Sequence, residues 1–282
     1  MKKVTNWFKK NNGQLVSHII IFILLVMVIY PLILLVMKSF KTITEEQLNP
    51  FAFPKELCFD NYEYAWAVIR YNFENSIFVT CMTTILIVIL AAMTAFAFER
   101  FNFPFKEQLY IAIMALMMIP GVLTITSKYK LINQLGLMDN MWGVILPTVA
   151  GGLPMSIILL RTSIKEISKE MFEAAEMDGA HNVRIFIQIV IPMIKPIVAA
   201  LVIMQFVATW NDYLWPRLVL TSSINQTIPV RLVAFSDDYY KATGGYGAAF
   251  AGYVISSIPL IVIFAVASKQ FISGMTSGAF KM

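Results

Sequence analysis

The segment Val16–Met37 reads VSHIIIFILLVMVIYPLILLVM, with no acidic or basic side chain except His18. An α-helix rises about 1.5 Å per residue, so roughly 20 such residues cross a hydrocarbon core about 30 Å thick. Five further windows pass the same test: Ile77–Phe98, Leu109–Ile125, Met141–Leu160, Pro196–Trp215 and Ala248–Ser268. The pattern predicts an all-α polytopic membrane protein with six transmembrane helices. Composition agrees. Of 282 residues, 58% are hydrophobic and 14% charged, against about half and a quarter in a soluble domain. That balance excludes a disordered chain, a nucleic-acid-binding domain and an ordinary cytosolic enzyme.

The windows are not equivalent. The third is short, and Pro120-Gly121 marks a kink or an early exit. The fourth carries Pro147, Gly151, Gly152 and Pro154. Irregular spans survive in a bilayer where they line protein or water. The first apolar run is too long for a signal-peptide core, and Lys38-Ser39-Phe40-Lys41 is no small-residue cleavage site, so it reads as a retained anchor. With the N-terminus inside, six spans return the C-terminus to the same side, and 13 of the 22 Lys and Arg residues fall inside. Lys2, Lys3, Lys9 and Lys10 set that bias, so N-in/C-in follows from the positive-inside rule. The organisation is then an N-terminus over 1–15, one membrane domain over 16–268 and a tail over 269–282. The net charge of +5 reflects topology and not a polyanion site.

Loops carry function more readily than apolar helices. The outside loop Lys38–Glu74 predicts one or two short surface helices around Asp60–Trp66, and Arg217–Gly247 ends in a flexible Gly244–Gly247 element. The inside segment 161–195 is about 35 residues long and patterned. Ile164, Ile167, Met171 and Ala174/Ala175 recur at helical spacing, and Ser163 with Glu166 reads as a capping box. Asp178-Gly179 breaks that helix, and Asn182 caps a second stretch running to Pro192 and Pro196. Periodicity alone fits either a connector in the headgroup zone or a docking element for an inside partner.

The residues Glu173-Ala174-Ala175-Glu176-Met177-Asp178-Gly179-Ala180, followed by Phe186, Ile189, Pro192 and Pro196, resemble the EAA loop of ABC importer permeases. Ala95–Phe101 with Phe103-Pro104, Leu135-Gly136-Leu137 before Gly143, Trp210–Pro216 and Gly274–Lys281 are similar to other stretches of the MalG-like carbohydrate-uptake branch. The resemblance covers nearly the whole chain, departing at Phe280-Lys281-Met282. It implies a coupling helix between helices 4 and 5. There Glu173, Ala174, Ala175, Asp178, Gly179 and Ala180 dock on an ATPase, the small residues allowing close approach and the carboxylates offering acceptors. It also implies tail contacts with the ATPases through Gly274, Thr276 and Gly278. The implied partners are a second homologous permease, two ATPase subunits binding ATP and Mg, and an extracellular solute-binding protein. The setting is the plasma membrane of a prokaryote, and the cargo a sugar. A frayed terminus is the plainer reading of the Gly- and Ser-rich tail.

No G-x-x-x-x-G-K-[ST] phosphate loop occurs, so no ATPase site, enzyme activity, cofactor or metal is expected in the chain. Asp212 is the one carboxylate inside the six windows. Ion-coupled carriers need ionisable groups at depth, so energy from a separate subunit is favoured. The cluster Trp210, Asn211, Asp212, Tyr213 suits sugar contact, with aromatic faces for stacking and polar groups for hydroxyls. It suits an interfacial aromatic belt equally. Met114, Met117 and Met118 read as plastic packing. Cys58, Cys81, His18 and His181 lack companions at useful spacing. Rival readings are a polyol-phosphate importer, a non-conducting sensor and, weakest, a secondary carrier.

Overall fold

The computed structural model describes residues 2–279, with side-chain surroundings at 14 and over 16–266. Among these residues the protein is helical, in the order α1 (Lys2–Ser39), α2 (Ile43–Leu48), α3 (Asp60–Arg100) and α4 (Lys106–Leu116). A 3₁₀ turn (Gly121–Thr124), α5 (Ile125–Gln134), α6 (Met141–Lys165) and α7 (Lys169–Met177) follow. Next come α8 (Asn182–Ile185), a π-helical turn (Phe186–Val190), α9 (Ile191–Met193) and α10 (Lys195–Trp210). The last are α11 (Leu214–Val219), α12 (Ile228–Thr243) and α13 (Gly247–Ala279).

Four stretches are long and apolar enough to cross a membrane: Val16–Ser39, Asp60–Arg100, Met141–Lys165 and Gly247–Val266. Two bent pairs raise the number to six if each is one span. Lys106–Leu116 meets Gly121–Gln134 at 90°, and Asn182–Met193 meets Lys195–Trp210 at 77°. The first bend falls at Pro120-Gly121, where proline cannot donate to the preceding turn. Its sequence signal was direct. Of the apolar window in α1 only its last residue, Met37, is buried.

The chain divides into two units. The first comprises the chain up to Val68 with Ala234–Ile255. Here the expected short helices around Asp60–Trp66 do not form separately, because those residues are the opening turns of the 41-residue α3. Asn61 holds the turn after α1, donating to Ser39 O at 2.9 Å and Lys41 O at 2.8 Å. Buried Lys41 donates to Asn49 O at 2.6 Å. The Gly244–Gly247 element is pinned, contrary to the expectation of a flexible one. Gln47 Nε2 donates to Gly244 O at 3.0 Å, and the carboxylate of Glu46 accepts from Tyr246 N at 2.7 Å. A Cβ on Gly247 would come within 2.6 Å of Asn61 Nδ2, so only glycine lets the backbone approach.

The second unit comprises Ile69–Val233 and the chain from Ser256 on. One core cluster joins the ends of α3 and α6 to the α7–α10 segment through Ala95, Phe98, Leu160, Ile164, Ile185 and Leu201. A second gathers Ile87, Ile145, Val149, Trp215 and Val219. Asn140 caps α6, its Oδ1 accepting from Trp142 N at 2.9 Å, the usual role of Asn at an N-cap. Beside it Asp139 ties the α5–α6 turn to the segment after α11. Its N–H donates to Val219 O at 2.9 Å, and its carboxylate accepts from Thr221 N, Ser222 N, Ser222 Oγ and Asn225 Nδ2. Asn72 and Asn75 hold the same segment by donating to the carbonyls of Ser223, Ile224 and Gln226.

Two predictions follow from this corner. A Cβ on Gly143 would lie 2.2 Å from Leu137 O, a backbone atom that cannot rotate away. Gly143→Ala is therefore expected to destabilise by about 1–3 kcal/mol, as overpacking does, while Gly151→Ala, with open space around it, does not. Thermal unfolding of the purified chain in detergent checks the pair. Hydrogen bonds from Ser222 hold the Asp139 carboxyl below the usual carboxylate range. A depressed carboxylate stabilises the fold above its unfolded value of about 3.9 and loses that contribution as pH falls through the folded value. Asp139→Asn should thus be less stable than the parent at neutral pH, with the gap closing in acid. An equal gap at both would remove charge from the explanation.

Candidate functional site

Two places in the second unit concentrate groups that a purely structural helix would not need. The first is α7 and the turn that ends it. The capping box expected at Ser163 and Glu166 does not form, because α6 continues through Lys165 and Glu166 is its C-cap. Ile164 and Ile167 are buried in the core behind that helix end, which keeps it wound. Helix α7 starts after Ser168 instead and stops at Asp178. Gly179 follows at φ +75°, a left-handed conformation natural to glycine. His181, not Asn182, occupies the N-cap of α8.

This elbow is anchored by the end of α3. The Arg100 guanidinium pairs with Glu176 on α7, donates through Nε to Asn182 Oδ1 at 3.2 Å, and lies 5.8 Å from the Phe172 ring centroid. One cation thus holds both sides of the Gly179 turn. Its neighbour Glu99 accepts from Arg161 Nε at 2.6 Å, and Arg161 Nη2 reaches Glu107 at 3.0 Å. The Arg161 guanidinium lies 3.8 Å from the Tyr110 ring centroid. Helices α3, α4, α6 and α7 are therefore joined by ionic contacts at one end. Of the residues singled out in sequence, Glu173, Ala174, Asp178 and Gly179 are exposed, Ala175 is buried and Ala180 is half-buried. Ala175 and Ala180 pack on the chain's own core, so the small side chains serve internal packing there. Nothing lies within 4 Å of a Cβ built on Gly179.

The second place is a cavity of about 400 Å³ walled by α5, α6, α10 and α11. Lys128, Thr148, Gln205, Thr209, Asp212 and Trp215 line it, and Gly151 and Gly152 form its α6 wall. Gln205 Nε2 donates to Ser156 Oγ at 3.3 Å. Asp212 Oδ1 accepts from Trp215 N at 3.4 Å. Lys128 Nζ lies 5.1 Å from the Trp215 ring centroid, and Trp215 Nε1 donates to Gly143 O at 3.2 Å.

The Trp210–Tyr213 cluster does not act as one group. Trp210 is buried, stacks on Phe206 at 5.8 Å and donates to Ser256 O at 3.2 Å. Asn211 donates to Val207 O of its own helix at 2.9 Å, and Tyr213 is exposed. Only Asp212 enters the cavity. Lys128, Gln205 and Thr209, which also line the cavity, were not singled out in the sequence. A signal existed for three of the lining positions: Gln205 and Thr209 recur at i and i+4 on one face of α10, and Asp212 follows at i+7 just past its end. The tail residues Gly274, Thr276 and Gly278 lie outside the residues whose side chains are described.

Comparison with known proteins agrees with this architecture. Residues 11–277 match the family described as binding-protein-dependent transport system inner membrane component. The diacetylchitobiose uptake system permease protein NgcG of Streptomyces coelicolor is 31% identical, over 94% of this chain and 88% of its own length. The trehalose transport system permease protein SugB of Mycobacterium tuberculosis is 31% identical, over 81% of this chain and 84% of its own. The arabinooligosaccharides transport system permease protein AraQ of Bacillus subtilis is 29% identical, over 90% of each. A chain in the crystal structure of a bacterial ABC transporter for alginate import superposes with a TM-score of 0.80 at 23% identity, over 91% of this chain and 95% of that one. Its fold is the same. The chain belongs to the binding-protein-dependent transport system inner membrane component family, as a membrane-embedded permease subunit.

Proposed function

We propose that this chain is a permease subunit of an ATP-binding-cassette importer that moves an oligosaccharide into a prokaryotic cell by alternating access. In this reading each bent pair is one span, giving six, with both termini in the cytoplasm. The subunit works with a second, homologous permease, two cytoplasmic ATPase subunits that bind ATP and Mg, and an extracellular solute-binding protein. It performs no covalent chemistry of its own.

The observation that carries the coupling half of this reading is the α7 elbow. Glu173, Ala174, Asp178 and Gly179 present an exposed face, while Arg100 ties the helix behind it to the 41-residue α3. A docked partner that moves α7 would move α3 with it, because the ionic contact and the buried Ala175 resist independent motion. Closure of the ATPase pair then draws the elbows together, opens the cavity outward to receive sugar from the binding protein, and resets on hydrolysis. The sugar half is supported by relatives about 30% identical that are uptake or transport permeases for diacetylchitobiose, trehalose and arabinooligosaccharides.

A bulky side chain at Gly179 projects into the space a partner would fill and strains the left-handed turn. Gly179→Trp is expected to insert normally yet uncouple ATP hydrolysis from uptake in the assembled importer. Normal uptake by that variant would sink the docking role. Deleting residues 274–282 should reduce both stimulated hydrolysis and uptake, and unchanged values for both would reduce the tail to a frayed end.

A further inference from the structure

We propose that the Lys128–Asp212 cavity is a solute subsite on this subunit, shaped for an uncharged sugar ring of the transported glycan. The inference rests on the transport reading above and adds the place and the charge class of the contact. It goes beyond the Trp210–Tyr213 cluster, most of which is committed to packing.

Three observations carry it. First, the cavity's chemistry is out of place against lipid. Among otherwise apolar helices, Lys128 and Asp212 share one hollow with Thr148, Gln205 and Thr209. Such a wall belongs against water or a polar solute. Second, the wall has unspent hydrogen-bonding capacity. Thr209 is 8% exposed and its Oγ1 has no partner. Lys128 Nζ faces the Trp215 ring and attracts the Asp212 carboxylate through space, with no direct ion pair or hydrogen bond between the two. A buried hydroxyl without a partner costs free energy, which a ligand hydroxyl recovers. Third, one side of the wall is bare. A Cβ on Gly152 would meet Ile87 Cδ1 at 2.6 Å, so that glycine closes α6 onto α3, whereas Gly151 has nothing within 4 Å and leaves the cavity open.

The charges select the ligand. A phosphate or carboxylate drawn to Lys128 meets Asp212, and a cation drawn to Asp212 meets Lys128. A hydroxyl both donates and accepts, so neighbouring hydroxyls on an uncharged ring bridge the two without leaving a buried charge unpaired. Ligand pockets commonly span about 300–1,000 Å³. A cavity of about 400 Å³ therefore suits a ring or two and not a long chain, whose remainder would lie on the partner permease.

The test uses membranes carrying the complete importer with Gly151→Cys in a Cys58→Ala, Cys81→Ala background, labelled by a water-soluble maleimide. Diacetylchitobiose, trehalose and arabinotriose are the neutral probes, and glycerol 3-phosphate is the anionic one. The introduced thiol should label readily. A neutral sugar at about ten times its Kd should slow labelling about tenfold, the factor 1 + [L]/Kd of mass action, and glycerol 3-phosphate should not. Lys128→Met and Asp212→Asn should each abolish protection, read as the ratio of labelling rates with and without sugar in the same variant. No labelling, or protection by glycerol 3-phosphate alone, overturns the proposal. ATP-dependent uptake of the same sugars is followed in parallel. Uptake without protection overturns the subsite and leaves the transport reading standing, and loss of both for all three sugars overturns the two together.

Discussion

A hydrocarbon core supplies no hydrogen bonds, so every backbone N–H and C=O crossing it must find its partner within the chain. Most features of this protein answer to that demand. Long helices such as α3 satisfy it along their whole length. Where the chain departs from a straight helix the surroundings differ: Met117–Pro120 is exposed, whereas Ile194 between α9 and α10 is buried in the core. The π-helical turn Phe186–Val190 likewise sits between the buried Ile185 and Val190.

The same scarcity of polar partners gives charged side chains their force. At one end of the second unit, Arg100 and Arg161 each join several helices, and the carboxylates of Glu99, Glu107 and Glu176 are the complementary sites. Exposed ion pairs contribute little on their own, but Arg161 also stacks on Tyr110 and Arg100 also bonds Asn182, so each cation fixes geometry more than it adds stability. At the opposite corner Asp139 gathers the segment after α11 through four donors. That fixes Trp215, and through it Lys128, at the cavity wall. Rigid corners at both ends leave the bent helices between them as the parts whose geometry can change.

Much was legible beforehand because it depends on local pattern. Apolar runs of sufficient length, the Pro120-Gly121 break and the Asp178-Gly179 stop are each decided by a few neighbouring residues. Other readings failed where tertiary packing outweighed local preference. Ser163 and Glu166 had the spacing of a capping box, yet burial of Ile164 and Ile167 keeps α6 wound through them. Gly244–Gly247 had the composition of a flexible loop, yet Glu46 and Gln47 pin it. Trp210 had the look of a ligand-binding aromatic, yet Phe206 and the Ser256 carbonyl claim both its face and its N–H.

The sequence by itself determined that this is a helical membrane protein of the importer permease family, and where the α7 elbow at Asp178-Gly179 lies. Those properties reside in hydropathy and in one contiguous motif, both carried by neighbours along the chain. Only the tertiary structure decided the solute-facing site. Lys128 lies in α5 and Asp212 just past the end of α10, more than 80 residues apart, and of the two only Asp212, the lone carboxylate of the apolar windows, stands out in its own segment. They come together because the bend before α5, the close approach at Gly152 and the Asp139 corner bring four helices around one hollow. Such a meeting is set by long-range packing, and no local pattern records it.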